Sequence, residues 1–358
     1  MGNGAGARAR IAALGLIMML AAAAAAGASR AEALPLCKLV TTGGTIAMRP
    51  AEPGGAPVPA DSGEALLAAV PELAEIARID VENLFNVPSP HMNPERWIAL
   101  QRSVAAALED PEVAGVIVSH GTDTLEESAF FLDLTLRTEK PVVLTGALRD
   151  AASADFDGPR NLRAAARICA HPEAGARGTM LVMDDVIHAA REVRKGHTAR
   201  GGFHSGAAGA LGVVDADRVR MLRWPEWRQH IALPEAAVLP QVDMVMMYPG
   251  ASGTLLEQAV AAGARGIVVQ ALGLGNVNPA LAAAIRDAVA GGVPVVITSR
   301  VQQGAVAPVY GYDGGGAELA DAGAIFAGDL LPQKARILLM LALQHTRDPD
   351  ALQAHFGG

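Results

Sequence analysis

The stretch Gly115–Ala129 reads GVIVSHGTDTLEESA. A short apolar run, VIV, passes through Ser-His-Gly-Thr-Asp-Thr into the apolar-periodic segment LEESAFFLDL. The first part has the length and β-branching of a buried strand, and the last part has the pattern of a helix. The turn between them is polar at every position except Gly121. Helix capping is one explanation: Thr122, Asp123 or Thr124 can accept from an orphan first-turn amide, with Glu126 or Glu127 completing a capping box. The other is that a polar turn at the carboxyl end of a strand in an open parallel sheet is where such sheets bind ligands.

Similar units recur on both sides. KLVTTGG, PVVLTGA and TMLVMDD are short β-branched runs ending in Gly or polar residues. Helical stretches such as PERWIALQRSVAAALED and GPRNLRAAARICAH separate them. Alternating strand and helix implies a parallel sheet covered by helices. Thr45, Thr122, Asp123, Thr145 and Asp184 all fall at predicted strand ends, which suggests a pocket rather than one capped helix. A second series, VDMVMMYPG, ARGIVVQALG and VPVVITSR, follows a proline-interrupted segment. The expected organisation is an N-terminal domain over residues 34–225, a linker over 226–240 and a smaller α/β domain over 241–358.

Residues 1–33 stand apart. Arg8 and Arg10 precede IAALGLIMMLAAAAAAGA, with small-residue cleavage signals ending at Ala28 or Ala33. This reads as a signal peptide, so the mature protein is expected in the periplasm or secreted, with no membrane association after cleavage. Removing it takes away Arg8, Arg10, Arg30 and Glu32, a net +2, and moves the formal charge from −8 to −10. An acidic chain with 3 Trp, 3 Tyr and 7 Phe and no basic patch is not a nucleic-acid binder. His91, His120, His188, His197 and His204 are too irregularly spaced for a zinc pattern. Export permits a disulfide between Cys37 and Cys169, but the preferred reading is two buried, unpaired thiols.

The chemistry lies in the turns. TTGGTIA places Thr45 after two glycines, whose amides can face a ligand oxygen while the threonine hydroxyl serves as a nucleophile. TGGTIA, HGTDTLEESAFFLDL, TGALR (Thr145–Arg149), DGPRNL (Asp157–Leu162) and LLPQKARILL occur in this order along nearly the whole mature chain. Together they resemble the bacterial-type L-asparaginases, and the signal peptide resembles the exported, type II branch. The resemblance implies a large parallel-sheet domain of flavodoxin or Rossmann-like type with a smaller C-terminal α/β domain. It also implies hydrolysis of a side-chain amide, a small-molecule amide as substrate, a homo-oligomer of tetramer type, and no metal or organic cofactor. By resemblance Thr45 is the first nucleophilic threonine, and Thr122 is the second, acting with Asp123 and with Lys195 of REVRKGHT. Ser89 of NVPSPHM matches the serine that binds the substrate α-carboxylate, and Asp123 also contacts the α-amino group. Gly44 and Ala147 complete the expected substrate-binding set. Asp157 and Arg149 are expected to fix a turn rather than touch substrate.

Three departures bear on specificity. The segment MRPAEPGGAPVPADSG lacks the tyrosine that accompanies the first threonine in the family, with Gly55 or Ala56 in its place. Pro90 follows Ser89 where a substrate-contacting glutamine is usual. The loop QQGAVAPVYGYDGGGAE, after SRV, offers Tyr310, Tyr312, Asp313 or Glu318 for an acidic residue donated across a subunit interface, and Asn276 or Asn278 of GLGNVN matches a cross-subunit asparagine. The missing phenol leaves three routes: activation of Thr122 by Lys195 and Asp123, a water, or Tyr310 or Tyr312 reaching in, the last being preferred. The other class of function considered is a non-catalytic amino-acid-binding protein on the same fold. Retention of Thr45, Thr122, Asp123 and Lys195 favours the enzyme.

Overall fold

The structure is a computed structural model describing residues 33–50, 57–59, 62–199, 201–215 and 218–357. The expected signal peptide, apart from Ala33, and the position of the missing tyrosine lie outside the described residues. Pro35–Gly358 forms one compact unit.

Its larger sheet has eight strands: β1 (Leu36–Thr41), β2 (Arg78–Asn83), β3 (Val113–Ser119), β4 (Val142–Thr145), β5 (Thr179–Met183), β6 (Val186–Ala189), β7 (Gly212–Asp215) and β8 (Arg218–Met221). The spatial order is β8-β7-β6-β5-β4-β3-β1-β2. From β2 to β5 all neighbours are parallel. The central strand shows why the sequence builds this layer. In β3, Val116 and Val118 enter one core and Ile117 the opposite one, so both faces are buried and the run reads as continuously apolar. Helices α1 (Pro94–Glu109) and α2 (Leu125–Thr135) supply Leu100, Val104, Leu125 and Leu132 to the first core, and α3 (Gly158–Cys169) supplies Leu162, Ala165 and Ile168 to the second.

The sheet is mixed rather than wholly parallel. After β5 the chain turns back at Asp184 and Asp185, whose φ angles are +52° and +65°, and Met183 pairs with Val186 across that two-residue turn. Two successive positive φ values are what a tight hairpin needs, and Asp tolerates them. β6, β7 and β8 then pair antiparallel. Asp184 is thus a hairpin residue, its carboxylate bonded by Arg160 and by the Gly201 amide. Thr145 is also spent inside the fold, its hydroxyl donating to the Val182 carbonyl. Neither belongs to a ligand pocket, contrary to the strand-end pattern.

The smaller sheet is parallel, in the order β9 (Val242–Met246), β10 (Gly266–Ala271), β11 (Val295–Ser299) and β12 (Ile325–Phe326). Helices α4 (Thr254–Ala261) and α5 (Pro279–Ala290) cover one face. Helix α6 (Pro332–Ala342) covers the other and is apolar around most of its circumference, because it also packs on α2. Trp97, Phe130, Phe131 and Leu134 share a core with Val268, Val296, Ile337 and Leu338, so the two sheets are joined through packed side chains.

Cys37 and Cys169 are disulfide-bonded, correcting the expectation of free thiols. Both are buried as expected, but the last residue of α3 lies directly over β1, which the sequence does not reveal. The bond closes a loop with a sequence separation of 132, and Cys37 lies at the start of β1, away from that strand's carboxyl end. Reducing it, or Cys37→Ala with Cys169→Ala, should lower unfolding stability by about 2–5 kcal/mol while leaving turnover at 25 °C unchanged. Denaturant melts with and without reductant check this, and identical midpoints would contradict it.

Candidate active site

The carboxyl ends of β1, β2, β3 and β4 lie on one edge of the larger sheet and the turns that follow them are bonded together. Thr42 donates from both its amide and its hydroxyl to the Ser119 carbonyl, each at 3.0 Å. Val87 donates to the Thr42 carbonyl at 3.1 Å, and the His120 amide to the Thr145 carbonyl at 2.9 Å. Gly44 has φ +87°, and a Cβ there would lie 2.2 Å from both the amide nitrogen and Cα of Gly121. No side chain fits at Gly44, by conformation or by space. The TTGG and HGTDT turns therefore meet backbone to backbone. Thr45 opens a single 3-10 turn, Thr45–Ala47, and is half-buried, while Ile46 and Ala47 anchor it in the core.

Ser89 comes from the turn after β2. It is buried; its hydroxyl accepts from the Asp123 amide at 3.2 Å, and its carbonyl accepts from the Thr124 hydroxyl at 2.9 Å. That second bond overturns the capping reading. Thr124 is the N-cap residue of α2 but makes no side-chain cap, because its hydroxyl is committed to Ser89. Glu126 completes no capping box either. Its buried carboxylate accepts from the Lys195 amide and, at 2.6 Å, from the Gln333 side chain.

Lys195 lies in a two-residue strand, Arg194–Lys195, paired antiparallel with Phe203–His204. Its ammonium donates to the Thr122 hydroxyl at 2.9 Å and to the Asp123 carboxylate at 2.6 Å. Thr122 is buried, whereas the Asp123 side chain is 61% exposed. A hydroxyl protected from bulk water, a cation against its oxygen and a carboxylate open to an incoming ligand form a compact proton-handling group. Ala147 is completely buried in the turn after β4. Asp157 fixes that turn as expected, accepting from the amides of Leu148 (3.1 Å) and Arg149 (3.0 Å), while Arg149 pairs with Asp155.

One member of the opening motif has a role its sequence context does not disclose. His120 is completely buried, with Nδ1 2.7 Å from the Gly121 carbonyl and Nε2 2.9 Å from the Ser128 hydroxyl, which is 2.9 Å from Trp97 Nε1. The indole only donates and the carbonyl only accepts. Every bond is satisfied in one arrangement: Trp97 donates to Ser128, Ser128 donates to Nε2, and Nδ1–H donates to Gly121. The ring is neutral, and burial pushes its pKa down to about 4. It pins the carbonyl immediately before Thr122. The signal available in sequence is the pairing of His120 with Ser128 one helical turn into α2, legible only once Trp97 is known to lie beside them.

A family model described as "Asparaginase, N-terminal" matches residues 37–227, and one described as "Glutaminase/Asparaginase C-terminal domain" matches residues 241–356. This chain belongs to the asparaginase family. The chain is 37% identical over 337 residues to the "Probable L-asparaginase periplasmic" of Haemophilus influenzae, covering 92% of this chain and 94% of the relative. It is 36% identical over 342 residues to "L-asparaginase 2" of Bacillus subtilis, covering 92% and 88% respectively. It is 32% identical over 303 residues to the "Glutaminase-asparaginase" of Pseudomonas fluorescens biotype A, covering 82% and 81%. The two matched regions meet this asparaginase fold at its two sheets.

Because the folded His120 binds its proton below the ordinary 6.5, the unfolded chain takes it up first as pH falls. The stability given by the neutral ring is complete above about pH 6.5 and is lost as pH falls through about 4. Glu127 has the opposite sign: burial, and then Glu126, raise its pKa to about 7, so its contribution is largest in acid and is lost as pH rises through that value. In labelled protein, the His120 ring should therefore stay neutral with its proton on Nδ1 from pH 8 to 5, read from its ring-nitrogen shifts. Protonation near pH 6.5 would contradict the bonded chain.

Proposed function

We propose that the chain is an exported amidohydrolase that converts the side-chain amide of L-asparagine, and of L-glutamine as a second substrate, to the acid and ammonia. The observation that carries this reading is the contact of Lys195 with both Thr122 and Asp123, beside a glycine turn that presents Thr45. Thr45 attacks the carboxamide carbon, its hydroxyl proton passing to a phenol supplied by a neighbouring copy, and turn amides, Gly44 among them, face the developing oxyanion. Thr122, Lys195 and Asp123 carry a proton to the leaving nitrogen; water then cleaves the acyl-threonine, releasing the acid and restoring the hydroxyl. Ser89 and Asp123 receive the α-carboxylate and α-amino groups, with Ala147 in the supporting turn. No metal or organic cofactor enters this scheme.

The mature protein is proposed to be a periplasmic or secreted homotetramer acting in asparagine catabolism, with residues 1–33 removed, domains at 34–225 and 241–358 and a linker at 226–240. A buried disulfide suits an oxidising compartment, and one relative carries "periplasmic" in its name. Met244, Met246, Tyr248 and Leu255, on and just after the edge strand of the smaller sheet, are exposed apolar side chains, which suits contact with another copy. Asp313 and Glu318 are tied to Arg286, whereas Tyr310 and Tyr312 expose their rings, making these the better candidates for a phenol delivered to a neighbour's Thr45. Asn278 uses both ends of its side chain, capping α5 and holding the Ala251 carbonyl, whereas Asn276 is bonded through its oxygen, which accepts from the Gly316 amide at 3.2 Å; this favours Asn276 as the cross-subunit asparagine.

In an ammonia-release assay on L-asparagine, Thr45→Ala and Thr122→Ala should each lower kcat by at least about 100-fold. Lys195→Met should resemble Thr122→Ala, and the double variant should be little worse than either, because the two act as one unit. Near-normal turnover in Thr122→Ala would remove the threonine-lysine unit from the mechanism.

A further inference from the structure

Among the described residues, the most heavily buried charge lies outside the reacting groups. Lys334, on α6, has no exposed surface. Its ammonium donates to the carbonyls of Ala190 (2.7 Å), Arg191 (2.9 Å) and Val193, and stands 5.7 Å from the centre of the Phe130 ring. All three of its protons are used, and among the described residues no carboxylate is bonded to it. Burying an ammonium without a directly paired anion is costly. Burial accordingly lowers its pKa, to about 8. A methionine of similar length would avoid that cost but would leave three converging carbonyls without a donor.

Those carbonyls belong to the segment that leaves β6 and runs directly into Arg194 and Lys195. The preceding residue of the same helix holds the other end. Gln333 donates to Glu126, and Glu126 accepts from the backbone amide of Lys195. Two adjacent residues of α6 thus grip residues 190–195 at both ends, one through carbonyls and the other through a carboxylate relay. With the backbone of Lys195 fixed, its side chain reaches the Thr122 hydroxyl at 2.9 Å.

We propose that Gln333 and Lys334 are positioning residues for amide hydrolysis: a clamp from the C-terminal helix that sets the height of Lys195 over Thr122. They touch neither substrate nor the reacting atoms and act only through Lys195. This rests on Lys195 having the role given it above. The clamp gives α6 a task besides packing, since the geometry of the site then depends on how that helix seats between the two sheets.

The test is a double-mutant cycle in the full-length mature protein, with ammonia release from L-asparagine and thermal unfolding as readouts. Lys334→Met should lower kcat about 10-fold or more, with KM changing less than about 3-fold, since misplacing a reacting group by a fraction of an ångström costs turnover rather than affinity. In a Lys195→Met background the same substitution should change kcat by less than about 2-fold, because the group it positions is gone. An equal fold-loss in both backgrounds would show general damage and overturn the proposal, as would wild-type kcat in Lys334→Met. Should Lys334→Met not fold, Gln333→Leu is read in the same two backgrounds, with an expected loss of about 3- to 5-fold confined to the Lys195-containing protein. Equal loss in both, or no loss, overturns the clamp. Full turnover in Lys195→Met would overturn the functional reading and the clamp with it. Loss in Lys195→Met with none in Lys334→Met overturns the clamp alone.

Discussion

The contact between the backbones of Gly44 and Gly121 is the constraint on which the rest of the site depends. Two parallel strands that neighbour one another carry their turns out on the same edge of the sheet, and side chains would normally hold those turns apart. Here a Cβ on Gly44 would stand 2.2 Å from Gly121. The close approach brings the backbones leading into Thr45 and Thr122, each one residue beyond its glycine, together at the sheet edge. The surrounding bonds serve this contact: Thr42 fastens the first turn to the end of β3, and His120 fastens the second to itself through Ser128 and Trp97.

The energetic division of the site follows from burial. Its supporting groups are dry and fully paired, with each proton placed, as in the neutral His120 chain and the Asp157 carboxylate under the TGALR turn. Two of the groups assigned to the reaction are more open, Thr45 half-buried and Asp123 largely exposed, while Thr122 is buried. A preorganised, low-dielectric frame around an accessible polar cluster is the arrangement expected where charge must be moved between substrate and protein without reorganisation. Coupling to the second sheet follows from the same logic. Helix α6 fills the space between the sheets with aliphatic side chains and sends two of its polar residues, Gln333 and Lys334, toward the loop that carries Lys195.

Much of this was legible in the sequence because strand and helix periodicities are local and the polar turns interrupt them sharply. VIV, VVL and LVM identify the layer, and the order of five motifs identifies the family. The antiparallel return after β5 was written in Asp184-Asp185, but the pair also reads as the end of another parallel strand, and only the paired positive φ values separate the two. Thr124, one of three caps the sequence offers, is not used as one because its hydroxyl is taken by the Ser89 carbonyl, 35 residues away in sequence. The Cys37–Cys169 bond, the His120 chain and the Lys334 clamp were illegible for one shared reason. Each joins elements whose adjacency is set by tertiary packing, and none leaves a pattern within a single window of sequence.

In the proposed mechanism one small volume at the edge of the larger sheet receives the whole substrate, with its amide end between two threonines and its amino-acid end on Ser89 and Asp123. A crystal structure of the assembled protein with the product L-aspartate tests this most directly. The side-chain carboxylate should lie between the hydroxyls of Thr45 and Thr122, the α-carboxylate within hydrogen-bond distance of Ser89, and the α-amino group on Asp123. Aspartate bound with its α-carboxylate between the threonines, or bound away from both turns, would contradict it.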